Sequence, residues 1–318
     1  MLEKISVVIP LYNEAENLLL LYEKLTDVLR GLATDYEIIF VDDGSTDDSL
    51  QVLQALRDGD QAHVCIIEFR RNFGKTAALA AGFRAASGNI IATLDADLQD
   101  DPNELPGMIA ELDRGYDLIL AWRKQRMDSS GKRRSSRFFN WVTSQLAGGK
   151  FHDLNSGFKV YRREVIETIR LYSDLHRYIP ILAEAHGFRA VENVVAHHPR
   201  HAGESKYGYG RIARGLMDLL MVLFVTRYLR HPLRLFGWVG ITIFTGGMIT
   251  NLYLGILWLI RMLGLADIAP IGTRPLLAVA ILATLLGIQF ISIGLLGEMI
   301  RYFNYQPQQE YSIRRIWH

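Results

Sequence analysis

Two carboxylates one residue apart, Asp95 and Asp97, follow the apolar run Ile90-Ile91-Ala92-Thr93-Leu94, and Gln99 stands one step further on. A short β-branched run of this kind fits a buried strand. Alternate strand residues share a face, so both carboxylates and Gln99 are expected on one side of the strand's end. Beyond the sheet the chain can bend, and two such carboxylates can converge on one cation. Oxygen ligands suit Mg²⁺ or Mn²⁺, with positions left over for water and substrate phosphates. The chemistry to expect is a metal-bound diphosphate at the carboxyl end of a parallel sheet, where open α/β folds bind their ligands.

A lone Asp-x-Asp carries little weight, because surface turns are rich in aspartate. Haloacid-type phosphatases also carry one after a strand, but near the first strand, whereas here it follows about the fourth. The elements around it add the weight. Residues 5–10 read as a strand that meets Leu11-Tyr12-Asn13-Glu14, and residues 37–41 as a second that ends in Asp42-Asp43-Gly44-Ser45-Thr46-Asp47. A helix over 15–30 carries Leu18, Leu21, Leu25 and Leu29 on one face. Another helix over 49–57 leads to a third strand through Cys65. Asn72 is expected to cap a helix through Ala78, Leu79 and Phe83, and Asp100-Asp101-Pro102 to start the next, with Pro in its first turn. Residues 117–121 read as a fifth strand. Alternating strands and helices imply parallel βαβ units with right-handed crossovers. The ends of strands one, two and four then surround one crevice, where a carboxylate can accept from a base N–H or a ribose hydroxyl.

Several other groupings compete for attention. Gly74-Lys75-Thr76 looks like the end of a Walker A loop, but Phe69 stands where its first glycine belongs, which argues against a P-loop. Lys75 can still reach a phosphate from the helix start, the alternative being a solvated lysine. His197, His198 and His201 resemble a metal cluster without a fourth ligand, and adjacent histidines on a strand face opposite ways. Residues 123–137 hold Arg123, Lys124, Arg126, Lys132, Arg133, Arg134 and Arg137, and a second basic loop runs from Pro199 through Arg200, Ser205 and Lys206 to Gly208. Guanidinium forks match phosphate oxygens, so either loop can clamp an anion, or be an ordinary solvated loop. Between them Asp153 lies in a loop that can enter the crevice.

The 318 residues carry a formal net charge of +1 and are 49% hydrophobic. Near-neutral charge gives no reason to expect nucleic acid. The single cysteine, Cys65, excludes an internal disulfide and reads as a small core hydrophobe. The chain opens directly on a strand, so no signal peptide is expected. Residues 1–210 read as the soluble α/β domain. Residues 211–234 read as an amphipathic juxtamembrane helix, with Leu216, Leu219, Leu220, Leu223 and Phe224 flanked by arginines. Residues 235–300 read as a transmembrane hairpin with spans at about 235–260 and 276–300, and residues 301–318 as a tail. Both spans exceed the ~20 residues needed to cross a bilayer core. Arg227, Arg230 and Arg234 precede the hairpin and Arg301, Arg314 and Arg315 follow it. The positive-inside rule therefore places both termini in the cytoplasm. A nucleotide–metal domain with a membrane anchor suggests a lipid-linked, anionic substrate.

Four ordered motifs now carry a resemblance: Val8-Ile9-Pro10-Leu11-Tyr12-Asn13-Glu14, Val41-Asp42-Asp43-Gly44-Ser45-Thr46-Asp47, Leu94-Asp95-Ala96-Asp97-Leu98-Gln99 and Asp101-Pro102-Asn103-Glu104. With Gly203-Glu204-Ser205-Lys206-Tyr207 they make the chain similar to the inverting GT-A glycosyltransferases of family 2. Among these it resembles the polyprenyl-phosphate hexose synthases, both bactoprenol glucosyltransferases and dolichol-phosphate mannose synthases. The resemblance implies a Rossmann-like, mostly parallel catalytic domain and a metal-dependent transfer of a hexose to polyprenyl phosphate with inversion. The two-span tail favours glucose from UDP-glucose, with mannose from GDP-mannose as the alternative. It implies that Pro10, Tyr12, Glu14 and Asp42 bind the nucleoside, that Asp95 and Ala96 approach the ribose or diphosphate with Lys75, and that Asp97 and Gln99 bind Mg²⁺ or Mn²⁺. Arg200, Ser205 and Lys206 would close over the phosphates, Ser205 also reaching the acceptor. Arg123 and Arg137 would hold the acceptor phosphate, with Arg133 and Arg134 as alternatives for the latter. Asp153 matches the acidic residue near the reaction centre, although here Asn-Ser-Gly-Phe-Lys follows it. The same resemblance implies a multi-pass protein of the plasma or inner membrane that self-associates, a tetramer being one option. A processive polysaccharide synthase shares the domain, but the chain lacks Gln-x-x-Arg-Trp and has too few spans for a channel. A sugar-nucleotide-binding membrane scaffold without activity is the non-enzymatic alternative.

Overall fold

The computed structural model describes residues 4–32, 35–124, 151–169, 175–196, 232–267 and 269–303. They fall into two compact units, one ending at residue 196 and the other starting at residue 232.

The first unit alternates strand and helix as its hydrophobic periodicity demands: β1 (Ile5–Leu11), α1 (Ala15–Gly31), β2 (Tyr36–Asp42), α2 (Ser49–Gly59), β3 (Val64–Glu68), α3 (Lys75–Ala85) and β4 (Ile90–Thr93). A 3₁₀ turn at Pro102–Glu104 leads into α4 (Leu105–Asp113), then β5 (Leu118–Trp122), β6 (Lys159–Arg162), α5 (Arg163–Thr168), α6 (Ile179–Ala185) and β7 (Ala190–Val194). The seven strands form one sheet in the order β3-β2-β1-β4-β6-β5-β7. All neighbours are parallel except β6, which runs antiparallel to both β4 and β5. β1 is buried along its whole length because helices cover both faces of a doubly wound sheet. The expected leucine face of α1 holds: Leu18, Leu21, Leu25 and Leu29 are all at most 1% exposed.

Two expectations need correction. Asn72 does not cap α3; the helix starts at Lys75 after Gly74, and no side chain caps it. The Asp43 carboxylate instead takes the N–H groups of Phe73 and Gly74, the two residues before the helix, and so fixes the loop that leads into it. Nor does the pleat carry Asp95, Asp97 and Gln99, because β4 stops at Thr93. Leu98 sits at φ 57° and the Gln99 amide bonds Asp97 Oδ1 at 3.2 Å, so a turn rather than strand alternation places these side chains.

The second unit is a helical hairpin, α7 (Pro232–Met262) and α8 (Pro275–Phe303), and both helices are long and apolar enough to cross a membrane. Their backbones approach closely at Gly287, where an added Cβ would lie 2.5 Å from the Phe244 amide nitrogen. The Asn251 amide donates to Thr284 Oγ1 at 3.0 Å across the same seam. Small residues and a bridging polar pair are how apolar helices associate where lipid offers no hydrophobic drive. α7 begins at Pro232, inside the stretch expected as the juxtamembrane helix, and α8 runs on to Phe303, past the expected start of the tail. Residues 211–231 and 304–318 and the three histidines near residue 200 lie outside the described residues.

Candidate active site

The ends of β1, β2 and β4 meet because these strands are neighbours, Leu11 pairing with Asp42 and Val8 with Thr93. Pro10 is buried within β1, and the loops that follow β1 and β2 are laced together. Asn13 N donates to Ser45 Oγ at 2.9 Å, Thr46 N to Asn13 Oδ1 at 2.7 Å and Glu14 N to Ser49 Oγ at 2.9 Å. Asp42, 1% exposed, accepts from both the amide and the hydroxyl of Ser45. Tyr12, Glu14 and Asp42 thus belong to one wall. Behind it Asp43 suspends the loop before α3. Burial pushes the Asp43 carboxyl above its usual range despite its two amide donors, and Asp42 adds to the push.

Beyond β4, Ala96 and Asp97 are buried and Asp95 is about one third exposed. Lys75, the first residue of α3, donates to the Asp95 carboxylate. Burial alone would raise the Asp95 pKa, but Lys75, with Arg123 and Lys159 behind it, outweighs that and holds the carboxyl below its ordinary value. Asp95 therefore contributes stability that is present above the usual aspartate range and lost as pH falls through its depressed value.

β6 explains how distant residues join this group. Being antiparallel, it starts where its neighbours end: Lys159 lies opposite Thr93 of β4 and Leu120 of β5. The segment that feeds it, from Phe151 to Phe158, is consequently delivered to the carboxyl edge. Asp153, 3% exposed, is gripped by Arg123, whose Nε and Nη2 donate to Oδ2 and Oδ1 at 2.8 and 3.2 Å. A fork on a buried carboxylate is the strong form of the charge-assisted bond. Burial would lower the Arg123 pKa, but Asp153 raises it well above the ordinary value. Thr93 Oγ1 donates to the Gly157 carbonyl at 2.8 Å. An added Cβ at Gly157 would lie 2.3–2.6 Å from the Asp95 carboxyl atoms. Gly157→Ala must push Asp95 off Lys75, and a displacement near 1 Å costs about 10²-fold in turnover; steady-state kinetics of that variant beside wild type checks this.

Lys159 is a site residue that motif reasoning missed. It is 3% exposed and donates to the Ser156 carbonyl. Burial pulls its pKa down to about 7, helped by Lys75 and Arg123 and opposed by Asp95 and Asp153. A depressed lysine pKa means the unfolded chain binds more protons between pH 7 and the free value of 10.5, so stability climbs across that window. Melting temperatures of Lys159→Met at pH 7 and pH 9.5 should differ less than those of wild type.

Among the described residues no group of three or more His, Cys, Asp or Glu side chains is arranged to hold a metal. The oxygen donors of the turn beyond β4 are of the hard type that fits a Mg²⁺ or Mn²⁺ ion held by one or two protein ligands and completed by diphosphate and water. Asp97 suits that role, with Gln99 beside it; Asp95 is committed to Lys75. The structure thus brings together Pro10, Tyr12, Glu14, Asp42, Lys75, Asp95, Ala96, Asp97, Gln99, Arg123 and Asp153. Arg133, Arg134, Arg137, Arg200, Ser205 and Lys206 lie outside the described residues.

Comparison with known proteins bears on the fold and the family. The fold is similar to glucosyl-3-phosphoglycerate synthase from Mycobacterium tuberculosis crystallised with Mg²⁺ and UDP, at a TM-score of 0.54 and 19% identity, over 70% of this chain and 79% of that one. The same enzyme with Mn²⁺ and UDP-glucose matches at a TM-score of 0.53 and 19% identity, over 70% and 79%. A dodecaprenyl-phosphate galacturonate synthase of Rhizobium johnstonii is 37% identical over 99% of this chain and 93% of its own. The model of glycosyl transferase family 2 matches residues 6–170. With strand-end carboxylates, a mostly parallel sheet and a whole-length relative in agreement, the chain belongs to glycosyl transferase family 2.

Proposed function

We propose that this glycosyltransferase moves a hexose from a nucleoside diphosphate to polyprenyl phosphate, inverting the anomeric centre and releasing a lipid-linked monosaccharide. The observation that carries the proposal is the whole-length likeness to a dodecaprenyl-phosphate galacturonate synthase, which extends through both apolar helices. The acceptor oxygen attacks the anomeric carbon as the bond from that carbon to the diphosphate breaks. A phosphate monoester has a second pKa near 6, so at neutral pH it arrives ionised and needs no strong base. Asp153 instead orients Arg123, whose guanidinium suits the acceptor phosphate, and places negative charge near the oxocarbenium-like centre. Asp42 and the loop from Pro10 to Glu14 hold the nucleoside, and Lys75 and Asp95 line the diphosphate. Asp97 and Gln99 would hold Mg²⁺ or Mn²⁺, which when bound neutralises the departing diphosphate.

Glucose from UDP-glucose is the sugar we infer from the two-span tail; galacturonate is the second reading, favoured by the relative's name. The hairpin keeps the enzyme in the membrane that holds its acceptor, with the catalytic unit and both termini in the cytoplasm and the chain self-associated. Full-length protein with undecaprenyl phosphate, Mn²⁺ and radiolabelled UDP-glucose, UDP-galacturonate or GDP-mannose tests the reading. Label is expected in the organic phase as a monosaccharide from one UDP-sugar. A polymer, or no lipid-borne label from any donor, would sink it.

A further inference from the structure

The turn that delivers Asp153 is pinned from an unexpected place. Glu192 lies on the edge strand β7 opposite Leu120 of β5, and alternation puts it on the same face as Trp122. Its Oε1 accepts from the amides of both His152 and Asp153, each at 2.7 Å, and its Oε2 lies 2.8 Å from His152 Nδ1. The Glu192 side chain is 7% exposed, whereas that of His152 is 63% exposed and stacks on Trp122 at 4.2 Å between ring centroids. A buried carboxylate on an edge strand is costly to desolvate, and an apolar residue would pack there as well. What only an acceptor can do at this position is bond two consecutive peptide N–H groups and so fix the backbone from which Asp153 projects.

We propose that Glu192 is a positioning residue of the transfer reaction, setting the Asp153–Arg123 pair against the reacting centre while His152 and Trp122 brace the turn. This rests on the reading of Asp153 given above and extends it 39 residues along the chain. The Glu192 carboxylate is spent on the turn at His152 and Asp153, so it should govern turnover and leave nucleotide binding alone.

The test compares Glu192→Leu with Glu192→Gln in the full-length protein, measuring sugar transfer, donor hydrolysis by water, UDP affinity and melting temperature. Glu192→Leu removes both acceptors, and turnover is expected to fall about 10²-fold, as for a misplaced catalytic group. UDP affinity and KM for the donor should stay within about twofold, since the wall that holds the nucleoside is untouched. Glu192→Gln keeps one carbonyl acceptor for the two amides and should restore turnover to within about fivefold of wild type, the worth of one ordinary hydrogen bond. Wild-type turnover in Glu192→Leu would overturn the proposal. So would a parallel fall of turnover, UDP affinity and melting temperature in both variants, which marks a merely structural residue. Donor hydrolysis keeps the comparison valid if the acceptor has been misread: wild type that hydrolyses donor but never glycosylates polyprenyl phosphate refutes the proposed function and leaves the Glu192 comparison decisive.

Discussion

Asp153→Asn is expected to lower turnover by about 10²-fold or more, the lower end of what a positioned acid–base or electrostatic group contributes, while UDP affinity holds. The substitution keeps the shape of the side chain and removes its charge. Arg123, with a side chain only 13% exposed, then faces no counter-charge from the residue its fork grips. Breaking a buried ion pair from one side costs about 3–5 kcal/mol because the remaining charge stays desolvated. Asp153→Ala should therefore unfold at markedly lower temperature than wild type, and Arg123→Leu likewise. The double variant Arg123→Leu/Asp153→Leu should recover much of the lost stability and none of the activity. A double-mutant cycle run on melting temperature and turnover together separates the pair's two roles. Equal recovery of both would show that the pair serves folding alone, and near wild-type turnover in Asp153→Asn would rule out its electrostatic role.

Asp97→Ala should remove sugar transfer almost completely. If a cation at this position supplies several kcal/mol of charge neutralisation to the leaving diphosphate, its loss amounts to about 10³-fold in rate. Asp97→Ala leaves the loops of β1 and β2 intact, so its melting temperature should move little compared with Asp153→Ala. Activity that persists in Asp97→Ala, or in wild type with excess chelator, would contradict a metal role for this residue.

How much of this was legible in the sequence follows from how local each signal is. The parallel half of the sheet could be read because β1, β2, β3 and β4 are apolar runs separated by amphipathic helices, and strand adjacency then brings Asp42 and the Asp95–Asp97 turn together. The motif pair and the long apolar helices were equally plain. β6 escaped notice because Lys159-Val160-Tyr161-Arg162 carries two cations in four residues and imitates a solvated turn. Only its place between β4 and β5 buries Lys159, and that pairing spans more than sixty residues from β4. Glu192 is hidden for the same reason. In Ala190-Val191-Glu192-Asn193-Val194 it looks like the solvent-facing position of an edge strand, yet its partners lie 40 and 39 residues earlier. Lys75, read as a phosphate contact or a solvated lysine, binds Asp95, which no spacing rule anticipates. Asn72 illustrates the converse, since a good local capping signal goes unused: the helix starts three residues later, and Asp43, just past β2, holds the loop before it.

Calorimetric titration of UDP into the full-length protein, with Mn²⁺ and then with excess chelator, addresses the strand-end site most directly. UDP should bind in the presence of Mn²⁺, weaken at least about tenfold on chelation, and show no response to Mn²⁺ in Asp97→Ala. UDP affinity in wild type that ignores both the metal and the chelator would contradict a cation-supported diphosphate site beyond β4.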